Sequence, residues 1–254
     1  MPEDLTEKLL QWVEDSGRAL ELRVARAFTK QGGAKYVRQS MPFQDPNTPS
    51  TTREGDVLAG YHWIADGLSI TVEATIECKS GKGYPWVAFF DDVWVRPDLP
   101  DELASIGGAW PKDDLNALAA AISNSGVLRS VEMPTHALSA MGKDSVNSVM
   151  DAARQAVSFA RGRSTLNGSF ADDPEGTTPV TAAIPIVITE APLFTCRLSE
   201  VGQIQIDEVD RFDVWVETGQ YQRVRVLITT EERCRELASE LSRLRSDLVR
   251  FRNQ

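Results

Sequence analysis

The side chains with the clearest chemical potential are Asp56, Glu77 and Lys79, which lie at the open end of a hairpin readable from the sequence. Two β-rich runs, EGDVLAGYHWIA and LSITVEATIECK, are separated by Asp66-Gly67, the pair that favours a type I′ turn. That turn fixes a register. With Ala65 opposite Leu68, partners sum to 133, so Val57 faces Ile76, Ala59 faces Ala74, Tyr61 faces Val72 and Trp63 faces Ile70 on one apolar side. The other side pairs His62 with Thr71, Gly60 with Glu73, Leu58 with Thr75, Asp56 with Glu77 and Glu54 with Lys79. Directly opposed carboxylates, with Cβ atoms about 5 Å apart, repel one another. A hard divalent cation with oxygen ligands, such as Mg²⁺, is the natural occupant between them. Lys79 adds an ammonium about 7 Å further along the same face. Cys78 points to the apolar side, so its backbone carbonyl, not its thiol, is the candidate extra ligand. His62 lies about 20 Å from Asp56 along the strand and is assigned a structural role. The plainer alternative is a solvated strand face on which Glu54 pairs with Lys79.

These groups need elements to hold them. The first thirty residues read as helix in two pieces broken at Ser16-Gly17, the second running through ALELRVARAFTKQGG to a glycine stop. Its apolar stripe is Leu20, Val24, Ala27 and Phe28, and Glu21 borders that stripe, where a carboxylate needs a partner. AKYVRQS reads as a short strand, and MPFQDPNTPSTT, with three prolines, as a loop. Residues 91–141 read as an insertion after the third core strand, and Lys143 to Arg161 as an amphipathic helix. Residues 163–180 form a polar loop, and AAIPIVIT a buried strand. LFTCRL, QIQID, FDVWVE and RVRVLIT follow as strands, then a closing helix from about Glu231 with a Leu237, Leu241, Leu244, Leu248, Phe251 stripe. This pattern predicts one α/β domain over residues 1–254, a mixed central sheet flanked by helices with additional C-terminal strands and a helix.

At its polar cluster the sequence resembles the restriction-endonuclease-like nucleases, the PD-(D/E)XK superfamily. Their signature is an acidic residue at the start of the second core strand, then acid-x-lysine on the third, commonly with a glutamate on the preceding helix. Asp56 in REGDV, Glu77-Cys78-Lys79 in IECKSG and Glu21 in ALELRVARAF match these positions, with Gly55 standing where the signature has proline. The resemblance covers residues 17–90, and the Lys143–Arg161 helix and AAIPIVIT fit the rest of such a core. It implies an endonuclease hydrolysing phosphodiester bonds, in DNA, with Mg²⁺ or Mn²⁺ on Asp56, Glu77, the Cys78 carbonyl and Glu21. Lys79 would position or activate the attacking water. Ser80 and Lys82, with Tyr84 nearby, are candidate phosphate contacts. Gln155 is a candidate accessory group, an exposed helical position being its plainer reading. The competing functional class is a catalytically silent nuclease-fold subunit that binds a partner.

Composition sets the frame. The chain has 254 residues, 42% hydrophobic and 25% charged, enough for a full core. Net charge is −10, which argues against coating nucleic acid along the whole surface. From Arg18 to Lys82, however, nine basic residues face seven acidic ones, about +2, leaving −12 elsewhere. Three scattered cysteines and two histidines argue against a disulfide framework or a zinc site. The phosphate loop, G-x-S-x-G, H-E-x-x-H and G-x-G-x-x-G are absent. An acidic, amphipathic N-terminus and the lack of a long apolar run predict a cytoplasmic protein without a membrane span. The terminal helix interleaves arginines with Glu231, Glu232, Glu236, Glu240 and Asp247, so its arginines pair locally or support a homodimer or protein partner.

Overall fold

The computed structural model describes residues 3–31, 33–65, 68–81, 84–90, 133–141, 148–167, 178–218 and 222–252. Two helices open the chain, α1 (Glu3–Asp15) and α2 (Arg18–Gln31). Gly17, at φ +78, makes the left-handed turn between them. Strands β1 (Tyr36–Asp45), β2 (Thr48–Ala65) and β3 (Leu68–Lys79) follow, then β4 (Trp86–Phe89) and β5 (His136–Ser139). Helix α3 (Ser148–Asn167) leads to β6 (Thr178–Thr189), β7 (Leu193–Leu198), β8 (Ile204–Val209), β9 (Arg211–Thr218), β10 (Gln222–Thr230) and α4 (Cys234–Arg252). The described residues form an α/β protein with mixed sheets and four helices.

The large sheet has the order β1-β2-β3-β6-β10-β9. β1, β2 and β3 run antiparallel as a meander, while β3-β6 and β6-β10 are parallel pairs. A parallel pair needs a crossover, which α3 supplies between β3 and β6. The second sheet, β5-β4-β7-β8, takes up two of the C-terminal strands that the sequence places in line with the rest. Helices α2 and α4 cover one face of the large sheet: Leu20, Val24 and Phe28 meet Val57, Ala59, Val72, Ile76, Leu237 and Leu241. On the other face, Ala152, Ala153, Ala156 and Val157 of α3 pack on Ala183, Val187, Val214 and Val226, in one cluster with Trp86, Ala137 and Leu193 of the small sheet. The small residues of α3 let the helix approach the sheet closely.

The β2–β3 register runs from Val57↔Ile76 to Ala65↔Leu68, the pairing that the Asp66-Gly67 turn predicts; the turn itself lies outside the described residues. Three expectations need correction. The proline-rich segment read as a loop is a hairpin: β1 continues to Asp45, and β2 starts at Thr48. It tolerates proline because β1 is the sheet edge, where an absent N–H costs no ladder bond. Within the segment read as an insertion over 91–141, His136–Ser139 is a strand of the small sheet paired with β4, while 91–132 lie outside the described residues. The polar loop 163–180 also shrinks, because α3 continues to Asn167 and β6 begins at Thr178. Leu237, Leu241 and Leu244 of α4 are buried in the core. Among the described residues no helix is long and apolar enough to cross a membrane.

Gly55, which precedes Asp56, is explained by packing. A Cβ there would lie 2.4 Å from Cε1 of Phe159 on α3. Phe159 in turn packs on Phe43, ring centroids 5.1 Å apart, which docks the β1–β2 hairpin onto α3. Gly55→Ala is therefore expected to cost about 1–3 kcal/mol through overpacking, measured as a lowered midpoint in urea with an unchanged slope.

Candidate active site

The site forms where the sheet divides. Beyond Val57↔Ile76, β2 continues its pairing with β1 (Met41↔Gly55, Pro42↔Glu54), while β3 continues with β6 (Glu77↔Val187, Cys78↔Ile188, Lys79↔Thr189). Asp56 therefore does not sit in the extrapolated ladder opposite Glu77. Its Oδ2 accepts the backbone N–H of Cys78 at 2.7 Å, closing the end of the β2–β3 pairing with a side chain. The β1–β2 register likewise steps from Gln39↔Val57 to Met41↔Gly55, over Ser40 and Asp56. Ser40 has φ 52, a left-handed conformation that a non-glycine residue adopts at a cost. Ser40→Gly is expected to stabilise the fold by about 1 kcal/mol, read as a rise in Tm.

Glu77 and Lys79 face α3, as their alternation along β3 requires. Lys79 Nζ donates to Glu77 Oε1 and to Gln155 Oε1, each at 2.7 Å. Gln155 is an exposed helical residue and at the same time the second holder of the lysine, so both readings of it meet. Glu21, in the first turn of α2, is 8% exposed, as is Glu77. Arg18 Nη1 donates to Glu21 Oε2 at 2.8 Å and to Ser40 Oγ at 3.3 Å, and stands 3.5 Å from Glu54 Oε1. The partner that the edge position of Glu21 demands is thus Arg18. Glu54 meets Arg18 in place of Lys79, so the plain ladder pair Glu54–Lys79 is not formed.

Burial and mutual repulsion dominate the electrostatics. Asp56 is pushed up to about 7, first by desolvation, then by the charge of Glu77, with Glu21 adding to it; the Cys78 N–H and Lys79 work the other way. Glu77 is also raised by burial, with Lys79 restraining the shift. The Cys78 thiol is held well above its usual range by burial beside these carboxylates, so it is a poor metal ligand. Among the described residues no three His, Cys, Asp or Glu side chains converge tightly enough to hold a metal unaided. Mg²⁺ ordinarily takes only one or two carboxylates and completes its shell with water and phosphate oxygens. Two buried carboxylates of raised proton affinity, Asp56 raised by the charge of Glu77 as well as by burial, supply hard oxygens of the kind such an ion takes. Asp56 and Glu77 are the residues whose chemistry fits it. Glu21 contributes charge, its Oε2 already engaged by Arg18.

The remaining candidates fall elsewhere. Ser80 lies against Gly17, whose added Cβ would be 2.8 Å from Ser80 Oγ, and lines a cleft rimmed by Glu14, Asp15, Glu190, Glu231 and Glu232. Arg23 lines the same cleft, where it pairs with Glu14, Glu190 and Glu231. Lys82 lies outside the described residues, and Tyr84 is exposed beyond β3. His62 bonds Thr71 across the hairpin, Nδ1 to Oγ1 3.1 Å, in keeping with its structural assignment.

Sequence reasoning missed a buried network that fixes β3 to α3. Glu73, 1% exposed, accepts from Arg163 Nη2 at 2.8 Å and from Tyr36 Oη at 2.6 Å. The available signal was Gly60 opposite Glu73: a Cβ at Gly60 would stand 2.0 Å from the Tyr36 ring. Above the site, a cleft of about 650 Å³ runs between the β1–β2 hairpin and α3, with Glu77 and Gln155 among its lining residues. No protein-family model, curated protein or solved structure matches the chain.

Proposed function

We propose that the protein is a divalent-metal-dependent nuclease that hydrolyses phosphodiester bonds in DNA, built on a restriction-endonuclease-like core. The observation that carries this reading is the meeting of Asp56, Glu77 and Lys79 where β2 and β3 part, two buried carboxylates of raised proton affinity beside an ammonium. Their order along the chain, with Glu21 on the preceding helix, is that of the PD-(D/E)XK signature. Asp56 departs from the pattern in lying well inside β2, because the strand extends upstream into the β1–β2 hairpin.

Mg²⁺ or Mn²⁺ on Asp56, Glu77 and the Cys78 carbonyl would supply an acidified water and neutralise charge on the phosphate. The chain's own groups then have distinct tasks. The Cys78 N–H fixes one oxygen of Asp56 and leaves the other for the ion. Glu77 and Gln155 hold the Lys79 ammonium from two sides, so it meets charge developing on the phosphate without reorganisation. The attacking water would give up a proton to bulk water as its oxygen bonds to phosphorus, the P–O bond to the leaving sugar would break, and the departing oxygen would take a proton from bulk water. Gln155 acts through Lys79 and is a positioning residue. Gln155→Ala is expected to lower kcat about tenfold with little change in KM, and Gln155→Glu to retain more activity than alanine because it keeps an acceptor for Nζ.

The test is incubation of the purified chain with supercoiled plasmid and with single-stranded DNA in Mg²⁺, in Mn²⁺ and in EDTA, beside folded Asp56→Ala and Lys79→Ala proteins. Metal-dependent cleavage lost in both variants supports the nuclease. No cleavage by wild type in either metal contradicts it. The second reading, a catalytically silent binding subunit, is favoured by one observation: Leu5, Leu9, Leu10 and Trp12 of α1 are exposed, an apolar surface suited to a protein partner.

A further inference from the structure

The cleft beside the site has two walls of different origin. The β1–β2 hairpin outruns β3 and contributes Asn47, Thr48 and Arg53; α3 contributes Arg154, Gln155 and Ser158. The walls are fixed relative to each other. Phe43 packs on Phe159, and Gly162 of α3 lies so close that a Cβ would meet Phe43 Cδ2 at 2.6 Å and the Gln44 carbonyl at 2.8 Å. The cleft is therefore preformed, and Glu77 lies in its lining.

Its charges point to the occupant. Each carboxylate in the lining already faces a cation: Asp45 accepts from Arg53 Nε at 2.5 Å, Asp151 from Arg154 Nη1 at 2.9 Å, Glu77 from Lys79, and Glu54 stands beside Arg18. Arg53 and Arg154 stand on opposite walls with side chains 53% and 61% exposed. The Arg154–Asp151 pair is exposed on both sides, so a phosphate can recruit Arg154 at small cost, whereas Arg53 would meet a phosphate while still neutralising buried Asp45. Hydroxyl and amide groups of Thr48, Asn47 and Ser158 complete a lining of the kind that meets sugar and phosphate oxygens.

We propose that this cleft is the track of the nucleic-acid strand, with Arg53 and Arg154 holding backbone phosphates on either side of the bond presented to Lys79. The inference rests on the nuclease reading and names its substrate-binding residues. It has a consequence for metal. With Lys79 and Arg18 counted beside the two arginines, the four carboxylates of the lining are balanced, and a divalent cation at Asp56 and Glu77 would tip the track toward the phosphate. Strand binding and metal binding therefore favour each other, by the same factor in both directions.

The experiment measures fluorescence anisotropy of labelled duplex DNA, single-stranded DNA and RNA with the full chain in Ca²⁺, a hard cation with the same oxygen preference, and in EDTA. Arg53→Gln and Arg154→Gln are compared with Arg223→Gln, a β10 arginine near Glu217, after each fold is checked by thermal melting. The expected result is affinity reduced about tenfold in each cleft variant and a salt-dependence slope smaller by about 1, with Arg223→Gln like wild type and EDTA weakening wild-type binding. Arg53 also neutralises buried Asp45, so the exposed Arg154 is the cleaner arm. If both cleft variants bind with wild-type affinity and slope while wild type still cleaves, the track is wrong and the nuclease stands. If wild type binds none of the three nucleic acids, with or without Ca²⁺, both fall.

Discussion

Asp56→Asn is expected to abolish metal-dependent cleavage, by about 10³-fold or more, and at the same time to make the metal-free protein more stable above neutral pH. The two effects share one cause. At pH 8 the wild-type side chain is ionised, buried, and close to Glu77 and Glu21. Asparagine keeps an oxygen to accept the Cys78 N–H but carries no charge to desolvate. The pH dependence has a definite sign. The folded carboxyl, at about 7, binds its proton more tightly than the unfolded one near its ordinary 3.8, so folding takes up a proton between these values. Stability from this group is full below about pH 4, is lost as pH rises toward 7, and stays low above. Wild type is expected to lose several degrees of Tm between pH 5 and pH 8, and Asp56→Asn to lose much less. Mg²⁺ is expected to restore wild type at pH 8 and to leave the variant unmoved. A Tm difference between the two proteins that does not change with pH contradicts this assignment.

The second large effect is expected at Lys79. Lys79→Ala removes the ammonium from between Glu77 and Gln155, and cleavage is expected to fall about 10²–10⁴-fold. Metal binding is expected to move the other way. In the metal-free protein Lys79 competes for the oxygens the ion needs, and without it Glu77 keeps a buried charge with no ammonium. Tighter Mn²⁺ binding with lost cleavage separates a catalytic role from a structural one, since a collapsed site loses both. Loss of metal affinity in parallel with activity would assign Lys79 to holding the site together.

How much of this was legible beforehand differs from element to element. The β2–β3 register followed from Asp66-Gly67 and strict alternation, because a tight turn leaves the strands no freedom to slip. The α2 helix with Glu21 at the rim of its buried face was equally readable, as were β6 and the four strands after it. What escaped depends on contacts between distant segments. The partition of β7 and β8 into a second sheet follows from their pairing with each other and with β4, which no local pattern announces. Pro42, Pro46 and Pro49 signal loop locally, yet edge position and a turn accommodate them. The wedge at Asp56 was extrapolated as continued pairing, although β1 and β6 draw β2 and β3 apart there. Gln155 and Arg18 reached the site only through the packing of α3 and the start of α2. Gly55, Gly60 and Gly162 were the quiet signals: each marks a place where an aromatic side chain lies against the backbone.

The nuclease reading depends on Asp56 and Glu77 holding one hard divalent cation. The direct measurement is calorimetric titration of Mg²⁺ or Mn²⁺ into wild type and Asp56→Asn, at pH 6.5 and pH 8.5 and in two buffers of different ionisation enthalpy. The expected result is saturable binding by wild type, release of a proton at pH 6.5 that disappears at pH 8.5, and no comparable binding by the variant. Equal heats in both proteins, or wild-type binding without proton release at the lower pH, would contradict it.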